Sequence, residues 1–406
     1  MKVLFVLQSI GYGGSMTSLL NLLSLLKDRN TFEIEVLFMD PYGELIDEAK
    51  SVSKVCKQNT ILEVSTMSRK SMLDKRLYWH YILRLILAIR GKIRRCSSTE
   101  IGFDKAAKRY DNKYDCVVAY QESVATNFAI RIKAARHIAW VHNDYNNVKK
   151  IYGGQEECLR SVYSQYDKII CVSHSGALNF KKYSGVDSKK ITYIYNTLPF
   201  NEIKRKASVP LIDVLNRRDR DEVLIALQSK CIKFVSSGRF AKQKCFERVV
   251  NAAKKMKDKG YHFKWIIIGT GDLFEEIKAS IISLDLTDDV LLTGGLTNPF
   301  PIVKACDFFV LTSDFEAHPM VANEALILGT PVITTNFESA KEVVKNGETG
   351  LICEMNVDSI VESLQSLLEN VELRERLRKN VSGFIYSNEV IIQQVISEIL
   401  NDDKVS

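Results

Sequence analysis

Short apolar runs alternate with helical periodicities along most of the chain. Val3–Leu7 is an unbroken apolar run, followed by Gly11-Tyr-Gly13-Gly14 and then by Leu19, Leu22, Leu23 and Leu26 on one helical face. Ile34–Phe38 is the next apolar run. Strand, glycine-rich loop, helix, strand is how a doubly wound α/β unit begins. Cys116–Tyr120, His137–Val141, Lys168–Val172 and Ile191–Tyr195 extend the series. A second series begins near Cys231, with strands predicted at Ile232–Ser236, Trp265–Ile268, Val290–Leu292, Phe308–Leu311 and Val332–Thr334. Helical patterns fall between them at Phe246–Lys257, Leu273–Ser283, Val321–Leu328 and Ser339–Val344, and about Val357–Asp402 reads as further helix. Asn196 to Lys230 is charge-rich and reads as an irregular linker.

The expected architecture is therefore two Rossmann-like α/β domains, which could face each other. The boundaries are 1–200, 201–385 and a C-terminal helix over 386–406 that could cross back to the first domain. A chain of 406 residues is long enough for two cores. Nine cysteines occur singly, without a CxxC pair, as in reduced cytosolic proteins. No signal peptide or membrane-spanning run is visible, and no histidine stands at zinc-ligand spacing from a cysteine.

The net charge of +7 is divided unevenly. Residues 1–200 hold 30 Lys and Arg against 19 Asp and Glu, a net of +11, and the remainder is −4. Much of the excess lies in Arg69–Arg95, with nine basic residues and one acid, Asp74, among many bulky apolar ones. Arg76, His80 and Arg84 recur at helical spacing as a polar stripe. Two readings fit: an amphipathic helix on an anionic membrane surface, with Trp79 at the interface, or a packed helix whose stripe faces solvent. Nucleic acid is not expected, because no zinc finger, RNP segment or helix-turn-helix signature is present.

The densest chemistry lies in Ser313-Asp-Phe-Glu316-Ala-His-Pro-Met-Val-Ala-Asn-Glu324. Glu316 follows a strand, and Glu324 stands about one and a half turns into the helix beyond, able to point back to the strand ends. Pro319 suits the first turn of that helix, whose free N–H groups would face an anion. Ordinary acidic residues at a helix start would look the same if the pair stood alone.

The whole segment resembles the EX7E signature of retaining glycosyltransferases of family 4, which have the GT-B fold of two Rossmann-like domains facing across a cleft. Gly238-Arg239-Phe240-Ala-Lys-Gln-Lys244 is similar to the family's Gly-Arg-Leu-x-x-x-Lys segment, and Ile266-Ile-Ile-Gly269-Thr-Gly271 to its Gly-x-Gly loop. Val117-Val-Ala-Tyr-Gln-Glu122 and Ile138-Ala-Trp-Val-His142-Asn-Asp144 resemble first-domain segments of members that build bacterial surface polysaccharides.

The resemblance implies roles position by position. Arg239 and Lys244 would bind the donor diphosphate, with Gly238 and Gly269 in the same site. Glu324 would take the ribose hydroxyls. Glu316 would contact the transferred sugar, and Ala317, His318, Pro319, Met320 and Val321 would surround sugar and diphosphate. His142 would reach the donor sugar, Glu122 the acceptor, and Gly13 and Gly14 would let backbone approach the ligand. Ala317 stands where the family mostly has glycine and would be strained if that position needs positive φ. Cys245 stands where glycine often follows the lysine.

The implied reaction is retaining transfer of a sugar from a nucleotide sugar, UDP-linked, to a hydroxyl of a lipid-linked saccharide in surface polysaccharide synthesis. It would need no metal or other cofactor and would take place in the cytoplasm, at the inner face of the cell membrane. Asp219-Arg-Asp221 has the DxD form that binds metal in another glycosyltransferase fold, but it lies in the charged linker. A nucleotide-sugar 2-epimerase of the same fold and an inactive GT-B scaffold are the alternatives.

Overall fold

The computed structural model describes residues 1–401 except Tyr12, Gln58, 95–101, Tyr152 and 216–219, with Arg69, Ser71 and 90–94 described by backbone alone. The chain forms two compact units. One holds Met1–Thr197 and the helix Asn388–Leu400, the other Leu198–Ser387.

The first unit carries a seven-stranded parallel sheet of β1 (Lys2–Ser9), β2 (Glu33–Asp40), β3 (Lys54–Val55), β4 (Cys116–Ala119), β5 (Arg136–Val141), β6 (Lys168–Cys171) and β7 (Ile191–Tyr193). Its spatial order is β3-β2-β1-β4-β5-β6-β7. Val3 to Leu7 are all buried, as expected of a strand covered by helices on both faces. Helix Asn388–Leu400 joins this unit through Glu389, paired with Arg29, and Glu398, which lies 3.0 Å from Lys168 and 3.5 Å from Arg136.

The second unit repeats the plan with six parallel strands: β8 (Ile232–Ser237), β9 (Phe263–Ile268), β10 (Val290–Gly294), β11 (Phe308–Leu311), β12 (Val332–Thr335) and β13 (Gly350–Cys353). The order is β10-β9-β8-β11-β12-β13. In each sheet the winding reverses beside the first strand, between β1 and β4 and between β8 and β11. Ligands of open α/β sheets bind outside the carboxyl ends of the strands at such points.

Two expectations need correction. The stretch read as an irregular linker contains helices at Phe200–Lys206, Leu211–Val214 and Arg220–Gln228. Ile203 is buried in the first and Val223 and Ala226 in the last, while Leu211–Val214 buries no residue; at seven, four and nine residues the helices are too short to show a clear periodicity. Asp219 lies outside the described residues, and Asp221 is in the first turn of the last of these helices. The basic stretch is two helices, Arg69–Asp74 and Tyr78–Arg94, broken where Arg76 takes φ 56°. Its expected polar stripe does not face solvent as a whole. His80 Nε2 lies 2.9 Å from Glu63 and Arg84 bonds the Val64 carbonyl. Arg95 lies outside the described residues.

Candidate functional site

In the second unit, three loops interlock at the carboxyl ends of β8 and β9. Gly238 N–H donates to the Ile268 carbonyl at 3.0 Å. Gly269, at φ 148°, leaves no room for a side chain: a Cβ there would stand 1.9 Å from the Gly238 carbonyl oxygen. At Gly271, at φ 152°, a Cβ would stand 2.6 Å from the Phe240 carbonyl oxygen. The two glycines thus bring the loops after β8 and β9 into backbone contact.

This packing sets out the cations. Arg239 is exposed, and among the described residues its guanidinium has no hydrogen bond or ion pair. Lys244 ends a short 3-10 turn, and its methylenes lie along Gly238, where a Cβ would be 3.2 Å from Cε. Its Nζ donates to Glu316 Oε1 at 2.6 Å.

Glu316 sits in the loop after β11. Ser313 Oγ donates to Oε1 at 2.7 Å and Gln243 Nε2 to Oε2 at 3.3 Å, while Ser339 Oγ donates to its backbone carbonyl at 2.8 Å. Thr312 Oγ1 ties the two loops together by donating to the Lys244 carbonyl at 2.9 Å. Ser313, Gln243 and Ser339 are site residues that the sequence reading missed. Ser313 and Gln243 each stand within a segment that resembles the family, Ser313 three residues before Glu316 and Gln243 directly before Lys244, whereas Ser339 carried no such signal.

Pro319 caps helix Met320–Ile327, so Met320 and Val321 fall in its first turn. His318 Nε2 lies 3.3 Å from Asn323 Nδ2, and burial lowers its imidazole to about 4, which keeps it neutral. Ala317 does not take positive φ, so its methyl group is unstrained. The positive φ falls on Cys245, at φ 50° and ψ 47°, the other position where glycine was expected.

Glu324 lies on the same helix. Burial raises its carboxyl to about 7, and Lys206 and Lys244 pull it back down. Among the described residues this carboxylate has no hydrogen-bond partner. Lys206, in helix Phe200–Lys206, carried no signal in the sequence.

In the first unit, Gly13 and Gly14 follow β1. Gly13 has extended backbone, φ 174°, and caps helix Gly14–Arg29. A Cβ at either glycine would meet nothing within 4 Å. The fold therefore has no need of glycine at either position, and the space above them is open.

Glu122, just past β4, is buried, and burial raises its carboxyl to about 7. It accepts the His142 backbone N–H at 2.9 Å and the Asn143 side-chain amide. Its oxygens are thus engaged in holding the loop after β5. The His142 ring packs on Tyr120 at 4.8 Å. Tyr120 OH lies 2.9 Å from Ser18 Oγ, which donates to Asn196 Oδ1 at 2.7 Å. Gly13, Glu122 and His142 all stand at the carboxyl ends of neighbouring strands.

Among the described residues no group of acidic, histidine and cysteine side chains has the arrangement of a metal site, and no helix is long and apolar enough to cross a membrane.

Residues 12–200 match the family described as Glycosyltransferase Family 4, and residues 218–383 match Glycosyl transferases group 1. The chain is 26% identical to the N-acetylgalactosamine-N,N'-diacetylbacillosaminyl-diphospho-undecaprenol 4-alpha-N-acetylgalactosaminyltransferase of Campylobacter jejuni, over 92% of each chain. It is 31% identical to the capsular polysaccharide biosynthesis glycosyltransferase CapM of Staphylococcus aureus, over 39% of this chain and 43% of that one. The structure of HepE from Anabaena in complex with UDP-glucose superimposes with a TM-score of 0.72 at 16% identity, over 99% of this chain and 100% of that one. The apo lipopolysaccharide outer core galactosyltransferase WaaB gives 0.67 at 17%, over 99% of both. These structural likenesses concern the fold.

Proposed function

The chain belongs to the glycosyltransferases of family 4, with the group 1 domain as its second unit, and from that membership we propose that it moves a sugar from a nucleoside diphosphate to a lipid-linked saccharide. The observation that carries the donor half is the carboxylate of Glu324. It is half-buried, lies beside the Lys244 loop and has no hydrogen-bond donor of its own among the described residues. A ribose diol would supply two donors and offset the cost of burying the charge.

Arg239 and Lys244 take the diphosphate. Charge builds on the leaving diphosphate as the C1–O bond breaks, and the two cations stabilise it where another fold would use a metal ion. Glu316, held by three side chains, orients the transferred sugar. The acceptor hydroxyl attacks C1 on the face the diphosphate leaves, and its proton passes to a diphosphate oxygen, so the anomeric configuration is retained. UDP is the proposed carrier, as in the ligand of the Anabaena structure.

The first unit takes the acceptor, with Glu122 positioning the His142 loop. A lipid-linked acceptor is supported by the undecaprenol-linked saccharide in the name of the Campylobacter relative. The protein then works at the cytoplasmic face of the cell membrane, in surface polysaccharide synthesis.

Nucleotide release and product formation are to be followed with a panel of nucleotide sugars and membrane lipid extract. Release that depends on the lipid supports the transferase. Release without any acceptor, accompanied by a changed sugar, would mark a 2-epimerase, and no release from any donor would mark an inactive protein.

A further inference from the structure

The helix Tyr78–Arg94 turns an apolar face outward. Tyr78, Trp79, Ile82, Ile86 and Ile89 are all exposed, Trp79 by 79% and Ile89 by 60%. At 100° per residue they fall within an arc of about 100°. The opposite face is packed against the domain, with Leu87 buried in a cluster with Val64, Met67 and Met72. The two polar residues of the expected stripe that lie within this helix, His80 and Arg84, are turned to Glu63 and Val64. A helix with apolar side chains on both faces, one of them in water, is unusual unless something covers it.

We infer that a phospholipid bilayer covers this face: Trp79, Ile82, Ile86 and Ile89 insert among the acyl chains, and cations beside them meet anionic headgroups. Lys70, Lys75 and Arg76 are exposed directly before the helix, with Asp74 the only acid among them. An aromatic pair at one end, an aliphatic row and a flanking basic cluster are what an interfacial helix requires, and neither a second copy nor an acidic protein calls for all three. The inference deepens the proposed reading, since a lipid-linked acceptor lies in such a surface. It differs from docking by a basic stripe, because the cations flank an inserted face and do not form it.

The chain has three tryptophans, and Trp140 and Trp265 are buried, so an emission change on adding vesicles reports Trp79. The full chain is mixed with phosphatidylcholine vesicles, with and without phosphatidylglycerol. The expected result is a blue shift with both, quenching by brominated acyl chains, and tighter binding to the anionic vesicles. The double variant Trp79→Ser, Ile89→Ser, at the two most exposed of the inserted positions, should bind at least ~30-fold more weakly by vesicle sedimentation, with little change in melting temperature. Replacing Lys70, Lys75 and Arg76 by Gln should remove up to ~100-fold of the preference for anionic lipid and leave the blue shift. Unchanged emission with vesicles, or equal binding by parent and serine variant, overturns the inference. So does a dimer of the parent, without lipid, that the serine variant dissociates. Turnover with a water-soluble acceptor analogue separates this outcome from the function: the serine variant should keep it, and a parent that lacks it fails as a transferase however it binds lipid.

Discussion

Lys244 donates to Glu316 at 2.6 Å across 72 residues of chain, and both side chains are largely shielded from solvent. Ser313 donates to the same carboxylate oxygen and Gln243 to the other, which leaves one acceptor position open on Oε2. The pair is thus held in place by the fold itself, without a ligand. Lys244→Ala should lower kcat/KM for nucleotide release by roughly 100- to 1000-fold, the scale of losing one charge-stabilising donor. Glu316→Gln keeps the shape but turns an N–H toward two donors, and should lower kcat more than it raises KM. Wild-type rates from both variants would remove the pair from the site.

Donor binding should depend on pH through Glu324. Its carboxyl titrates at about 7 because burial disfavours the ionised form. Ribose hydroxyls bond best to the ionised form, so bound donor lowers the pKa and binding releases a proton. Donor affinity should therefore strengthen as pH rises toward 7 and level off above it. Calorimetry in buffers of different ionisation enthalpy measures that proton release. In Glu324→Gln both the release and the pH dependence should vanish, and affinity should fall.

The same burial has a consequence for stability with the opposite trend. Glu122 and Glu324 are raised to about 7 in the folded chain, against 4.5 for an ordinary glutamate. Between those values the unfolded chain loses protons that the folded chain keeps. Stability should then fall as pH rises from 4.5 to 7, by up to ~3 kcal/mol per group, and stay flat above. Glu35 behaves in reverse. Although burial opposes it, hydrogen bonds from Lys54, Tyr114 and Lys2 lower it to about 2, so its contribution is present above 4.5 and lost as pH falls through 2. The two windows do not overlap. Urea unfolding at pH 5 and pH 8 should show the first trend, and Glu122→Gln and Glu324→Gln should each remove part of it.

Most strands were legible because each is a short apolar run bounded by turn residues, and Phe308–Leu311 was placed to the residue. β13 was not, because Gly350-Leu-Ile-Cys353 offers only a brief run. Its glycine is demanded by the tertiary structure, since a Cβ there would stand 1.8 Å from the Val332 carbonyl oxygen. The linker helices, at seven, four and nine residues, are too short to set up a periodicity. At the candidate site, Arg239, Lys244, Glu316 and Glu324 were legible through the family resemblance, because a pair of glutamates at a helix start carries no signal by itself. What holds them was not: Gln243 and Ser339 reach Glu316 through tertiary packing, and Lys206 comes from a helix with no visible pattern. The doubt over Ala317 was misplaced by one loop. The strained backbone lies at Cys245, whose φ depends on how the turn Lys242–Lys244 enters helix Phe246–Asp258.

Cys245 is buried in the left-handed region, where a non-glycine residue costs roughly 1–2 kcal/mol. Its thiol donates to the Lys242 carbonyl at 3.1 Å and recovers part of that. Cys245→Gly should leave urea stability within about 1 kcal/mol of the parent, because relief of strain offsets the lost thiol and the added chain entropy. Cys245→Val should cost about 2–3 kcal/mol, since a β-branched residue fits this conformation worst. Equal stability of the two variants would contradict the left-handed assignment.

The glycines of the two units separate structural need from ligand need. Gly269 has φ 148° and no space, so Gly269→Ala should destabilise the second unit by about 3 kcal/mol or more, as the loop after β9 is forced off Gly238. Gly13 has extended backbone and open space around its Cβ position, so Gly13→Ala should leave the melting temperature unchanged to within about 1 °C. If that space is where substrate lies, the same methyl group should still lower kcat/KM by about tenfold or more, as expected when a 1 Å displacement disturbs a reacting geometry. Melting curves and transfer rates measured on one preparation of each variant test the contrast. A Gly13→Ala protein with normal stability and normal turnover would show that no substrate passes close to this loop.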